Sequence, residues 1–289
     1  MLNIRKILLP IDFQDTSLRI VHHAAALAHH FHSEIVLLHV VTPLSSSSGV
    51  LQHGQTLNCE NLLTEFVERA EKELHESVRP EFQGLTVKCV VVRGDPSGRI
   101  VQFARDEQMN LIVMPTHGYS GFERFLIGSV TAKVIHDSDC PVWTAAHLQD
   151  GPKSAFAITH VLCPVTFGEH SRRTLTWAAE VAAEFKAKLT LAHVTPSVEM
   201  YGPGGTYVDR KWKDILVSSA SEELAKLQQQ VGTKSEVVID SGDPSVALGR
   251  IAREIAADLL VVGGHASGGR LTSTSYGIIS QSPIPVLSV

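Results

Sequence analysis

No apolar run in the 289-residue chain approaches the ~18 residues that a membrane-spanning helix requires. The N-terminal "MLNIRKILLPID" is too short in its apolar stretch for a signal-peptide core, and an aspartate follows it. A cytoplasmic protein with no membrane partner is therefore expected. Basic residues are not in excess: Lys+Arg 25 against Asp+Glu 30 gives a formal charge of −5. A nucleic-acid partner is not indicated, because such binding needs a basic face to displace counterions. Cys-x2-Cys pairs are lacking too. Cys59, Cys89, Cys140 and Cys163 are scattered and read as reduced thiols, not as a disulfide or zinc framework.

What the sequence does contain is a repeat. "KILLPIDFQDTSLRIVHHAAALAHHFHSEIVLLHV" begins at Lys6 and aligns with the stretch beginning at His160, an offset of 154. Gly94-Asp95-Pro96-Ser97 matches Gly242-Asp243-Pro244-Ser245 at an offset of 148. "CPVWTA" near 140 matches the C-terminal "IPVLSV" at an offset of 144. Two domains are expected, 1–148 and 157–289, joined through "HLQDGPKSAFA".

Each repeat alternates short apolar runs with stretches of helical period. In the first, strands are expected at 5–11, 35–41, 86–93, 110–114 and 141–145, and helices at 16–32, 58–79, 97–108 and 129–137. The runs are apolar throughout, as strands are when helices cover both sheet faces. The fold class is α/β: two tandem, doubly wound, Rossmann-like domains, each a mostly parallel five-stranded sheet. The turn-rich segments after "LLHV" (42–58) and "LAHV" (195–211) read as loops outside the core.

Ligands of such sheets bind beyond the carboxyl ends of the strands, where the winding reverses. This places Asp12, in "PIDFQDTS" after the first strand, near "PTHGYSGFERFLIGS" (115–129) after the fourth. Glycine lets backbone approach a ligand closely. Gly128 and Ser129 open the helix "VTAKVIHD", and Ala132 stands where a capping-box acid would be. The helix start thus suits an anion, with Arg124 as an added cation. The same residues also fit a plain turn with Ser129 as an ordinary N-cap. A Walker A loop is excluded because no lysine follows the glycine in "IGSV". A dinucleotide fingerprint is excluded because "LPIDFQDTS" has no glycine.

The chain resembles the universal stress proteins in their tandem two-domain form. The likeness covers the full length and rests on "LLPIDFQDTS", "LLHV", "RGDPSGRI" and "THGYSGFERFLIGSVTAKVIHDSDCPV". ATP-binding members of that family carry G-x2-G-x9-G-[S/T]. Gly118, the nine residues 119–127 and Gly128-Ser129 match it, while Pro115 replaces the first glycine and removes one backbone donor. By resemblance, Asp12 lies at the ribose and metal, Val40 at the adenine, and Gly118, Gly128 and Ser129 at the phosphates. The resemblance extends to Pro10, at the end of the first strand, and to Val92, at the end of the third. The implied ligands are ATP and Mg, the latter through Asp12.

The second repeat has Thr166 for Asp12, Ala266 for Gly118 and Thr272-Ser273 for Gly128-Ser129, in a loop four residues shorter. It is expected to be structural, a partner surface, or a site for another small ligand. The leading reading is an ATP-binding stress-response or signalling module. The alternatives are a scaffold that binds protein partners without nucleotide, and a weak ATPase. Ser129 lacks a G-x-S-x-G setting and nothing supplies a positioned base, so efficient catalysis is not expected. The two last strands are expected to pair the domains within the chain; whether two chains then form a homodimer is left open by the sequence.

Histidines concentrate in "HHAAALAHHFH" (22–32). His22 and His29 are seven apart, as are His23 and His30, a rise of about 10.5 Å on a helix. That is too far for either pair to share one ion, so the cluster reads as a partly exposed helix face.

Overall fold

The computed structural model describes residues 2–13, 15–42, 59–77, 80–116, 127–145, 156–168, 170–197, 199–202, 205–208, 210–263 and 272–289. The first repeat forms β1 (Lys6–Pro10), α1 (Asp15–Phe31), β2 (Glu34–Val41), α2 (Cys59–Ser77), β3 (Val87–Arg93), α3 (Pro96–Asp106), β4 (Leu111–Pro115), α4 (Ser129–Asp137) and β5 (Val142–Ala145). The second forms β6 (His160–Pro164), α5 (Ser171–Phe185), β7 (Lys188–Thr195), β8 (Glu199–Gly202), β9 (Gly205–Val208), α6 (Arg210–Val231), β10 (Glu236–Ser241), α7 (Pro244–Glu254), β11 (Leu259–Val262), α8 (Ser273–Gln281) and β12 (Val286–Ser288).

One compact unit is built from the first repeat as far as Val142, and the other chiefly from Trp143–Val289. Leu2 and Ile127 belong to the second unit. Strand β5 therefore straddles the division. In the first unit Ile112 N–H donates to Pro141 O at 2.9 Å. In the second, Thr144 Oγ1 donates to Val286 O on β12 at 3.4 Å.

In the first unit β1 pairs in parallel with β2 on one side and β4 on the other, and β3 follows β2. The second unit repeats this with β6 between β7 and β11, then β10 outside β7 and β12 outside β11. The winding thus reverses between β1 and β4, and between β6 and β11. Ile7, Leu8 and Leu9 are all fully buried. Successive strand residues point to opposite faces, so both faces of β1 are covered. Burying each such side chain stabilises the fold by roughly 1.5–3 kcal/mol.

The two Gly-Asp-Pro-Ser turns do the same work in each unit. Gly94 and Gly242 take φ of 143° and 116°, a region that side chains disfavour. Asp95 then caps α3 by accepting from Gly98 N–H at 3.0 Å, and proline begins the helix. Asp243 caps α7 by accepting from Ser245 and Val246 N–H at 2.9 and 3.1 Å. Asp243→Ala is expected to lower stability by about 1 kcal/mol in thermal denaturation.

One expectation is corrected here. The segment after β7 is not wholly loop: Glu199–Gly202 and Gly205–Val208 pair antiparallel as a hairpin, Glu199 opposite Val208. The corresponding stretch after β2, at 43–58, lies outside the described residues.

Candidate functional site

The reversal between β1 and β4 positions the site. Pro10 ends β1 and is buried, and Asp12 stands exposed two residues beyond the strand end. Val40 and Val92 are register partners near the ends of β2 and β3, both half-buried. Gly128 and Ser129 open α4, the helix that follows β4. The topology therefore brings Pro10, Asp12, Val40, Val92, Gly128 and Ser129 to the carboxyl edge of one sheet. Gly118 and Arg124 lie outside the described residues.

Gly128, not Ser129, is the N-cap of α4; Ser129 is the first helical residue. The ordinary Ser129 cap is thereby set aside. Gly128 N–H donates to Thr116 O at 2.7 Å, and Thr131 Oγ1 donates to Pro115 O at 3.0 Å. Both bonds hang the helix start on the end of β4. Among the described residues no side chain caps α4, and its first turn carries no acid. A helix start in that state presents amide donors and positive potential.

The second unit treats the same position differently. Thr272 caps α8, its Oγ1 accepting from Ser275 N–H at 3.1 Å. Thr166 replaces Asp12, and its carbonyl accepts from Gly168 N–H at 2.8 Å and from Ser171 Oγ. The second helix start is capped by its own side chain; among the described residues the first is not.

An aromatic pair missed in the sequence stands beside Asp12. Phe13, at φ 60°, lies with its ring 4.6 Å from that of His39. His39 Nδ1 donates to Ile11 O at 2.7 Å. Phe167 and His193 repeat this at 4.3 Å, with His193 Nδ1 donating to Val165 O at 2.8 Å. The matched positions of the two phenylalanines, 154 apart, were the available signal.

Three of the thiols, Cys89, Cys140 and Cys163, are poorly suited to reaction. Burial pushes Cys140 and Cys163 up to about 12 and raises Cys89 as well. Among the described residues no group of three or more His, Cys, Asp and Glu side chains could hold a metal ion, and no helix is long and apolar enough to cross a membrane.

The model of the Universal stress protein family matches residues 3–145 and again residues 157–289. The chain belongs to the universal stress protein family. It carries two universal stress protein domains in tandem. Universal stress protein MJ0531 of Methanocaldococcus jannaschii is 35% identical over 138 residues, covering 48% of this chain and 79% of that protein. Universal stress protein MJ0577 of the same organism is 32% identical over 149 residues, covering 48% of this chain and 92% of that one. The crystal structure of a universal stress protein from Archaeoglobus fulgidus has the same fold. Its TM-score is 0.68 at 22% identity, covering 100% of this chain and 97% of that one.

Proposed function

We propose that this universal stress protein is a nucleotide-dependent stress-response or signalling module that binds Mg·ATP on its first unit. One observation carries the reading: among the described residues no side chain caps the helix start at the β1/β4 reversal, whereas its counterpart in the second unit is capped by its own Thr272. Phosphate oxygens supply the acceptors that such a start lacks. Val40 and Val92 offer an apolar wall for the base, and Asp12 offers a hard oxygen for Mg²⁺. The absence of a Walker lysine fits a holder of nucleotide better than a fast hydrolase.

Mass analysis of nucleotide released from the purified protein, followed by calorimetric titration with Mg·ATP, tests this. One site per chain is expected, because the second helix start is already capped. Asp12→Ala is expected to weaken Mg·ATP binding and to make it less sensitive to EDTA. No bound nucleotide and no titration at millimolar ATP would favour the scaffold reading instead. Phosphate release above a protein-free control, abolished in Asp12→Ala, would identify a slow ATPase.

A further inference from the structure

Tyr276 sits in the first half of α8 and reaches a residue 149 positions earlier in the chain. Its hydroxyl accepts from Ile127 N–H at 3.1 Å and donates to Ile127 C=O at 3.3 Å. A single phenolic oxygen thus satisfies both backbone groups of one residue, using its full donor and acceptor capacity. Both residues are members of the second unit, and the Ile127 side chain is buried there. The next residue is Gly128, the cap of α4, directly before the proposed phosphate-facing amides of the first helical turn.

The tyrosine is presented from a fixed helix. Ile279 of α8 is fully buried, and Thr272 caps the helix. The backbone of Gly277 lies so close to Ser245 that an added Cβ would come within 2.7 Å of its Oγ. Rotation or sliding of α8 is therefore resisted on both sides of Tyr276. The relation is not reciprocal: at the 144 offset Ala132 corresponds to Tyr276, and alanine has no hydroxyl to return the contact.

We infer that Tyr276 is a positioning residue for the nucleotide site: the second repeat, with its own helix start capped, holds the chain at Ile127 so that the first-turn amides of α4, from Ser129 onward, stay aligned for phosphate. This rests on the nucleotide reading above. The second repeat then sets affinity in the first through the chain at Ile127, and any event that shifts α8 changes how well phosphate is held. The coupling is reciprocal by linkage, so bound ATP also steadies α8.

Tyr276→Phe removes the hydroxyl and keeps the ring. In the full-length protein the Kd for Mg·ATP is expected to rise about tenfold, the scale of two neutral hydrogen bonds. The Kd for adenosine, which lacks phosphates, is expected to stay within about twofold, and the Ile127 amide is expected to exchange with solvent at least about tenfold faster. A role in general stability would weaken both ligands alike. Equal loss for both, no loss for either, or unchanged Ile127 exchange overturns the inference. Should the wild-type chain bind neither ligand, the nucleotide reading itself fails and the positioning role goes with it. Binding by the wild type with no response in Tyr276→Phe removes the positioning role alone.

Discussion

Gly128→Asp is expected to weaken Mg·ATP binding by at least about 100-fold while leaving the fold as stable as before, or slightly more so. Gly128 has φ −55° and ψ 143°, a conformation open to any residue, so aspartate enters without backbone strain. Its carboxylate is among the preferred N-caps and would accept from the amides of the first helical turn, adding a few tenths of a kcal/mol over glycine. The same carboxylate takes the donors that phosphate would use and places a negative charge where the polyphosphate would lie. The cap adds stability and competes with phosphate for the amides, while the like charge weakens binding further. Gly128→Asn separates the two, since it caps without charge and should lose less affinity. Calorimetric titration paired with thermal denaturation reads both quantities. Undiminished ATP affinity in Gly128→Asp would show that the α4 start does not face nucleotide.

Between pH 6.5 and about 4 the protein is expected to lose roughly 3 kcal/mol of stability through His23 alone. Burial, and secondarily the neighbouring charge of His22, lowers His23 from 6.5 to about 4 in the folded protein. The folded state therefore keeps this imidazole neutral over a range in which the unfolded chain binds a proton. Stability falls as pH drops below the unfolded value, by about 1.4 kcal/mol per unit, and the loss levels off near the folded value. Asp95 acts in a lower window. Hydrogen bonds from Ser97 and Gly98 lower its pKa, so its contribution is present above the ordinary 3.8 and is lost as pH falls through the depressed value. In His23→Phe the slope between pH 6.5 and 4 should flatten, while the loss below that window persists. Urea unfolding at a series of pH values measures it, and an unchanged slope in the variant would rule His23 out as its source.

Much of the fold was legible because the strands are nearly pure apolar runs and because the repeat reads each element twice. The Gly-Asp-Pro-Ser turns announced a strand end, a cap and a helix start in four residues. Helix ends were harder to read. Glycine normally marks the left-handed residue after a helix, yet here His32, Gln108, Lys186 and Ala256 take φ of 53°, 52°, 52° and 50°. They fall at matched positions in the two repeats, and no sequence rule assigns them that role. The hairpin of Glu199–Val208 was hidden by the Gly-Pro-Gly-Gly sequence at 202–205, which made the short flanking strands look like more loop. At the site, Asp12 and the Gly128-Ser129 helix start were readable from strand order and spacing. Which of the two residues served as the cap was not, because serine is the stronger cap former in isolation. Tyr276 had no local signal. Its partner lies 149 residues away, and its own repeat position holds alanine in the first half.

The most direct test of phosphate binding at the α4 start is a crystal structure of the protein grown with Mg·ATP. Nucleotide density is expected on the first unit alone, with phosphate oxygens in hydrogen-bond range of the first-turn amides of α4 that follow Gly128 and the base against Val40 and Val92. Density placed elsewhere, or a crevice filled by the protein's own side chains at saturating nucleotide, would contradict it.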